Sequence, residues 1–344
     1  MTVLIDDTGT PHRLSGDDWL VDVAELAAAS GWKLEPSGLC RGSACVPLRE
    51  SGLVADGGRV DLRAWADALS YATARDDEHG VLAVASPPDL ARVAAVGDEA
   101  PDLELPDVDG GLHRLSDAAG RKRVLLTWAS WCGCRHELAS WQALYTELAP
   151  LGLSIFSVAL DNSPEDARPW IEAACPTYPV VVDAAHLSAE RYGITNVPST
   201  VWVDEAGRIV KPATISPGDD QFRDFTQIDA AAHHEALRAW VRDGVLPAAD
   251  AAPQRGPEEQ VALAERRLGA WLHAAGKTDA ALAHFRRAVE LAPWDWTVRR
   301  GSLAIRGEDP FLGEEFVSFW QEWDEAGRPG YVATPAPDEP SARR

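Results

Sequence analysis

Two thiols dominate the chemistry available to this chain. Cys132 and Cys134 stand one residue apart in the run Val124 to Leu138, VLLTWASWCGCRHEL, where an apolar strand-like stretch gives way to a helical one. At a strand-to-helix turn, unpaired N–H groups and the positive end of the helix dipole favour a thiolate over a thiol and lower the cysteine pKa. That setting suits a redox nucleophile. Cys132 is expected to be the exposed attacker on a disulfide or peroxide, and Cys134 to resolve the product. About 65 residues downstream, Val197-Pro198 directly precedes the strand-like STVWV. A cis bond there presents backbone groups to an extended partner chain.

The one-residue gap has a geometric consequence. Residues two apart in a helix point about 200° apart, so a Cys132–Cys134 disulfide needs Cys132 outside the regular helix and a permissive Gly133 between them. Such a bond should be strained, which favours an oxidant, an isomerase or a transient resolving bond over a strong reductant. Metal binding by Cys132, Cys134 and His136 lacks the second ligand pair of a closed zinc site. No metal or organic cofactor is expected. Cys40 and Cys45 lie in LCRGSACVP and leave two readings open: a disulfide relaying electrons to or from Cys132, or a pair of loop thiols. Cys175, before Pro176, reads as inert core.

With the motif and the downstream proline in this order, the sequence resembles the thioredoxin superfamily over residues 97–243, more narrowly the ResA/TlpA-like redoxin branch. Gly97-Asp-Glu-Ala-Pro-Asp-Leu103 and the turn Asp109-Gly-Gly111 match that branch's usual start. The resemblance implies a mixed sheet flanked by helices and thiol-disulfide exchange. It puts Trp131, Val197 and Pro198 at substrate-binding positions beside Cys132. The usual Cys-x-x-Cys is replaced by Cys-Gly-Cys, similar to a subgroup with a WAxxUGC motif that tolerates selenocysteine in the first slot. Peroxiredoxin-like reduction of hydroperoxides is the runner-up activity. Against it, the Thr that peroxiredoxins generally carry three residues before their cysteine is Ala129 here. The buried Asp of thioredoxins, six residues before the first cysteine, is Leu126, so either another carboxylate, Glu137 or Asp161, or water takes the proton. A third reading is a non-catalytic redoxin scaffold. The expected partners are protein or low-molecular-weight thiols and disulfides, with peroxides under the runner-up reading.

The elements that must position these groups alternate. Strand-like segments at 123–129, 153–160, 179–182, 200–203 and 208–210 are separated by helical patterns at 136–148, 164–174 and 229–241, which predicts an α/β sheet with helices on its faces. The Glu205-Ala-Gly207 turn makes the last two strands antiparallel, so the sheet is mixed. Residues 1–95 read as a small α+β domain: a strand at 3–6, an amphipathic helix after Ser15 or Asp17, a hairpin or irregular loop over 32–48, and a helix after Asp61. Residues 244–257 read as a Pro/Ala-rich linker. The spacing of Leu268, Gly269, Leu272, Gly276, Ala281, Phe285, Ala288 and Pro293 resembles one tetratricopeptide repeat, with a degenerate second pair carrying the helical segment over 258–326. One repeat cannot bury its own apolar face, so it should dock on a neighbour, and it is a possible site for a protein partner. Residues 327–344 read as a disordered tail.

Composition bounds the rest. With 344 residues, 46% hydrophobic and 25% charged, the chain has room for two or three packed domains. Acidic residues outnumber basic ones 54 to 32, and the net charge of −22 repels nucleic acid and anionic lipid surfaces. No apolar run approaches the roughly 18 residues of a membrane span. Met1 to Thr8 carries Asp6 and Asp7 rather than the basic and apolar stretches of a secretory signal, so a cytoplasmic location is expected.

Overall fold

Two short runs, Thr2–Ile5 and Val81–Ala85, are apolar at nearly every position because both faces of their sheet are covered. In the computed structural model, which describes residues 1–47, 53–55, 58–86, 93–248 and 254–330, they pair in parallel. Pro11–Leu14 and Ala72–Asp76 flank them antiparallel. Leu4, Leu82 and Val84 face a cluster containing Trp19, Trp32 and Trp65, while Val3, Ile5, Val81 and Ala83 face Leu263, Leu268 and Leu272 of the helix Pro257–Ala274. Arg267 Nη1 of that helix also donates to Val84 O at 2.8 Å. The chain divides into two units, Met1–Arg92 with Arg255–Pro293 and Val93–Gln254 with Trp294–Arg344.

Several expectations for the first unit need correction. The helix expected after Ser15 or Asp17 begins only at Val23, capped by Asp22, whose carboxylate accepts from the Ala24 and Glu25 N–H groups. Gly16–Asp17 and Leu20–Asp22 pair as strands instead, with Asp18 and Trp19 at positive φ turning the chain between them. The hairpin Ala72–Asp76 with Val81–Ala85 had no strand reading at all, since its apolar run does not alternate. Over 32–48 the chain forms a three-stranded meander in whose register Cys40 faces Cys45, and the two are joined as a disulfide. The helical hairpin Pro257–Ala274 and Thr278–Leu291 finds its neighbour in the sheet of its own unit.

The second unit carries the five-stranded sheet, in the order Val180–Val182, Leu153–Ala159, Lys122–Trp128, Ser199–Val203, Ile209–Ile215. The first three run parallel and the last two antiparallel, as the Glu205 to Gly207 turn requires. Val124, Leu125 and Leu126 are all fully buried, with Leu138–Leu148, Pro164–Ala174 and Ala230–Asp243 supplying the covering helices. This is the expected mixed α/β arrangement.

Two boundaries differ from the sequence reading. The second unit already includes Val93 and Ala94, the latter donating its N–H to Arg191 O at 3.0 Å. The helical segment expected as one piece over 258–326 is divided at Pro293: Trp296, Leu303, Phe316, Phe319 and Trp323 form their own aromatic cluster within the second unit. Of the expected linker, 249–253 lie outside the described residues, and so do 331–344 of the expected tail. Residues 327–330 are held in place, with Trp323 Nε1 donating to Pro329 O at 3.0 Å and Arg328 Nη1 to Thr226 O at 3.0 Å. Among the described residues, no helix is long and apolar enough to cross a membrane.

The pairing of Cys40 with Cys45 fixes a thiol count. In a Cys132→Ser, Cys134→Ser variant unfolded without reductant, alkylation should find one thiol, Cys175, and three after reduction. Three before reduction would mean that the pair is open.

Candidate active site

Cys132 leaves the strand Lys122–Trp128 in an extended conformation, φ −109° and ψ 147°, and caps a short 3-10 helix, Gly133–Glu137, that runs into Leu138–Leu148. It therefore stands outside regular helix, the position that a Cys132–Cys134 disulfide would require. Its Sγ accepts from the Cys134 N–H at 3.3 Å and lies 3.5 Å from Val197 O. Val197–Pro198 is cis. The two sulfurs are free thiols. Gly133 is needed for space rather than for an unusual φ: a Cβ there would sit 2.5 Å from the Phe222 ring.

Cys132 is not exposed, contrary to the sequence expectation. It is 6% accessible and opens into a cavity of about 370 Å³ instead of bulk solvent. Cys134, Glu137, Val197 and Pro198 share that cavity with Phe222, Phe225, Trp296, Phe311, Phe316 and Arg300. The covering wall comes from residues 294–323, which the sequence reading assigned to a degenerate repeat. Trp296 N–H donates to Thr195 O at 2.8 Å, Asn162 Nδ2 to Gly301 O at 3.2 Å, and Phe225 stacks on Trp320 at 4.9 Å. Trp131, expected at a substrate position, does not line the cavity; its Nε1 donates to Leu160 O at 3.0 Å and its ring lies under Gly301.

The electrostatics separate the two thiols. Burial alone would push Cys132 up, but the Cys134 thiol and N–H, the Arg300 charge and the Arg135 charge together bring it down to about 7. Burial and the neighbouring Cys132 raise Cys134 well above its ordinary value. The Arg135 guanidinium lies 4.1 Å from both the Trp170 and Phe311 rings. Arg300 lies 4.3 Å from the Phe316 ring, and its Nε donates to Pro310 O at 2.8 Å. Glu137, accepting from the Gly218 N–H at 2.7 Å, is pushed up to about 8, chiefly by burial. Gly218 permits that contact because a Cβ there would meet the Trp141 ring and Glu137 Cβ within 3 Å.

Of the two carboxylates named from sequence, Glu137 lines the cavity, whereas Asp161 accepts from Ser130 N–H and Oγ. Asp161 is raised to about 7, chiefly by burial. Leu126 is fully buried in the sheet. His136 is exposed, packed edge-on to Trp170. Cys175, expected in the core, is exposed: it ends the helix Pro164–Ala174 in a left-handed conformation at the surface. Among the described residues, no group of His, Cys, Asp and Glu is arranged to hold a metal ion. Sequence reasoning missed Arg300 and the aromatic wall. Their signal was the density of Trp and Phe from Trp294 to Trp323 around the Arg299-Arg300 pair.

Residues 96–211 match the AhpC/TSA family. The chain is 31% identical over 121 residues to the thiol-disulfide oxidoreductase ResA of Geobacillus thermodenitrificans (strain NG80-2), covering 35% of this chain and 70% of that protein. The chain belongs to the thioredoxin-like redoxins of the AhpC/TSA family. Another redoxin relative, the thioredoxin-like protein YneN of Bacillus subtilis (strain 168), is 32% identical over 117 residues, 33% of this chain and 68% of its own. Among solved structures, a thiol:disulfide interchange protein from Bacteroides sp. aligns with a TM-score of 0.33 at 24% identity, covering 41% of this chain and 97% of that one. The enzyme class of this redoxin is thiol-disulfide oxidoreductase. The matched span ends well before Arg300, so the aromatic wall lies outside the redoxin match.

The raised Glu137 links folding to pH. Its folded value of about 8 lies above its ordinary 4.5. Between these values the folded protein keeps a proton that the unfolded chain has lost, so this group makes stability fall as pH rises. Glu137→Gln should melt at a higher temperature than wild type at pH 8, with the gap closing toward pH 4.5. Parallel melting curves across this range would show instead that the carboxyl is ionised.

Proposed function

We propose that this redoxin exchanges disulfides through Cys132 and Cys134, with Glu137 as the proton acceptor for the resolving thiol. The observation that carries this reading is the buried Cys132 sulfur, held near a pKa of about 7 by an N–H group and two arginines while its neighbour stays protonated. The Cys132 thiolate attacks one sulfur of a disulfide, forming a mixed disulfide and expelling a thiolate. Loss of the Cys132 negative charge lifts one contribution to the raised Glu137 and Cys134, beside the larger effect of burial. Glu137, which lines the cavity, releases its own proton to solvent and then accepts the Cys134 proton. Cys134 attacks Cys132 Sγ, expels the second thiolate and closes the Cys132–Cys134 disulfide. The enzyme loses two electrons and the substrate gains them; the reverse sequence oxidises a dithiol.

The alternatives have weaker support. A peroxidase reading lacks the hydroxyl three residues before the cysteine, where the Ala129 side chain is fully buried. A scaffold without chemistry gives no reason for two arginines to converge on one sulfur.

Cys132→Ser should abolish turnover of any disulfide, and Cys134→Ser should leave a persistent mixed disulfide visible by mass spectrometry. Full turnover by Cys132→Ser would end the proposal. The attack rate should rise with pH around a midpoint near 7, as the sulfur ionises. Glu137→Gln should leave that first step within a few-fold while slowing closure of the disulfide by about 10²-fold, a typical general-base effect. Single-turnover stopped-flow separates the two phases.

A further inference from the structure

The cavity above Cys132 has a composition that goes beyond generic exchange. At about 370 Å³ it falls in the range of sites for small molecules, roughly 300 to 1,000 Å³. Its walls are the rings of Phe222, Phe225, Trp296, Phe311, Phe316 and Trp320. The wall is also fixed to the loop that precedes Pro198, since Trp296 takes the Thr195 carbonyl. A folded protein offering an extended segment would meet this wall first.

Within the apolar lining sits one guanidinium. Arg300 is 8% accessible, and its Nε is committed to Pro310 O. The charged and titratable groups acting on it are Cys132, Cys134, Arg135 and Asp309. Of the anionic groups acting on it, the Cys132 thiolate lines the cavity and Asp309 does not. The thiolate charge disappears when Cys132 enters a mixed disulfide, leaving a buried cation among aromatic rings with Asp309 as its remaining anionic neighbour, so that a further anion in the cavity is favoured. A substrate carrying its own carboxylate supplies one, and a charge-assisted bond to guanidinium is among the stronger hydrogen bonds.

We propose that this cavity binds a low-molecular-weight disulfide with an aromatic or similarly bulky apolar body and a carboxylate, the body against the Phe and Trp rings and the carboxylate on Arg300. This substrate class rests on the exchange reading above. In the reaction, Cys132 thiolate displaces one aryl thiolate and forms the mixed disulfide, and Cys134, after losing its proton to Glu137, displaces the second. One disulfide is reduced to two thiolates as the enzyme dithiol is oxidised to a disulfide. The net charge of −22 gives anions no long-range attraction, so any preference for a carboxylate must be local.

Binding can be measured apart from redox chemistry. In full-length Cys132→Ser protein, where no thiolate neutralises Arg300, calorimetric titration should find 2-naphthoate bound at least tenfold more tightly than 2-naphthamide. Adding Arg300→Met should erase the difference, and Phe316→Ala should weaken both ligands. Equal affinities in the Cys132→Ser protein, or no binding of either ligand, would overturn the proposal, and this comparison does not depend on whether the arginine variant folds. In wild type, 5,5′-dithiobis(2-nitrobenzoate) should be reduced faster than insulin, each rate taken relative to dithiothreitol. Insulin winning would also overturn it. A naphthoate preference in a protein that reduces neither disulfide would uphold the site and remove the exchange reading.

Discussion

A buried sulfur drawn toward its ionised form is the constraint on which this molecule turns. Burial disfavours the thiolate, and the surroundings must more than offset that cost for Cys132 to react near neutral pH. The structure does so with the Cys134 N–H and thiol, and with two guanidinium groups, Arg135 from the turn that follows Cys132 and Arg300 from far along the chain. Each arginine is itself held against aromatic faces, Arg135 by Trp170 and Phe311, Arg300 by Phe316, so the positive charges do not swing away into solvent.

The same enclosure separates the three titrating groups around the site. Cys132 is drawn down, while Cys134 and Glu137 are pushed up by burial and by the charge on Cys132. Because the three share one charge, a change at the first sulfur is felt by the other two. In the exchange proposed above, attack precedes proton removal because of this coupling. Gly133 and Gly218 are the backbone conditions for it, since side chains at either position would displace Phe222 or Trp141 and Glu137.

The C-terminal aromatic segment turns a redoxin core into an enclosed site. Residues 294–330 attach through backbone and side-chain bonds at Thr195, Asn162 and Thr226, all within the second unit. Meanwhile the helical hairpin that precedes this segment in sequence packs in the first unit, where its leucines complete a sheet covered on both faces. Neighbours in sequence thus serve different cores, with the division falling at Pro293.

Much of the second unit was legible in the sequence because its signals are local. Alternating strand and helix patterns, the Glu205 to Gly207 turn, the thiols at a strand-to-helix junction and the proline ahead of a strand depend on residues close together in the chain. The sequence by itself determined the mixed sheet and the place of Cys132 at a strand-to-helix junction, and it offered Glu137 and Asp161, beside water, as proton acceptors. It missed the strand Val81–Ala85, whose apolar run reflects burial on both faces, and misread the exposure of Cys132 and Cys175. Only the tertiary structure decided that Cys132 faces a cavity, that Glu137 rather than Asp161 lines it, and that Arg300 reaches it from far along the chain. Burial and electrostatic coupling depend on distance in space, and residues 132 and 300 become neighbours only when the aromatic segment closes over the redoxin core.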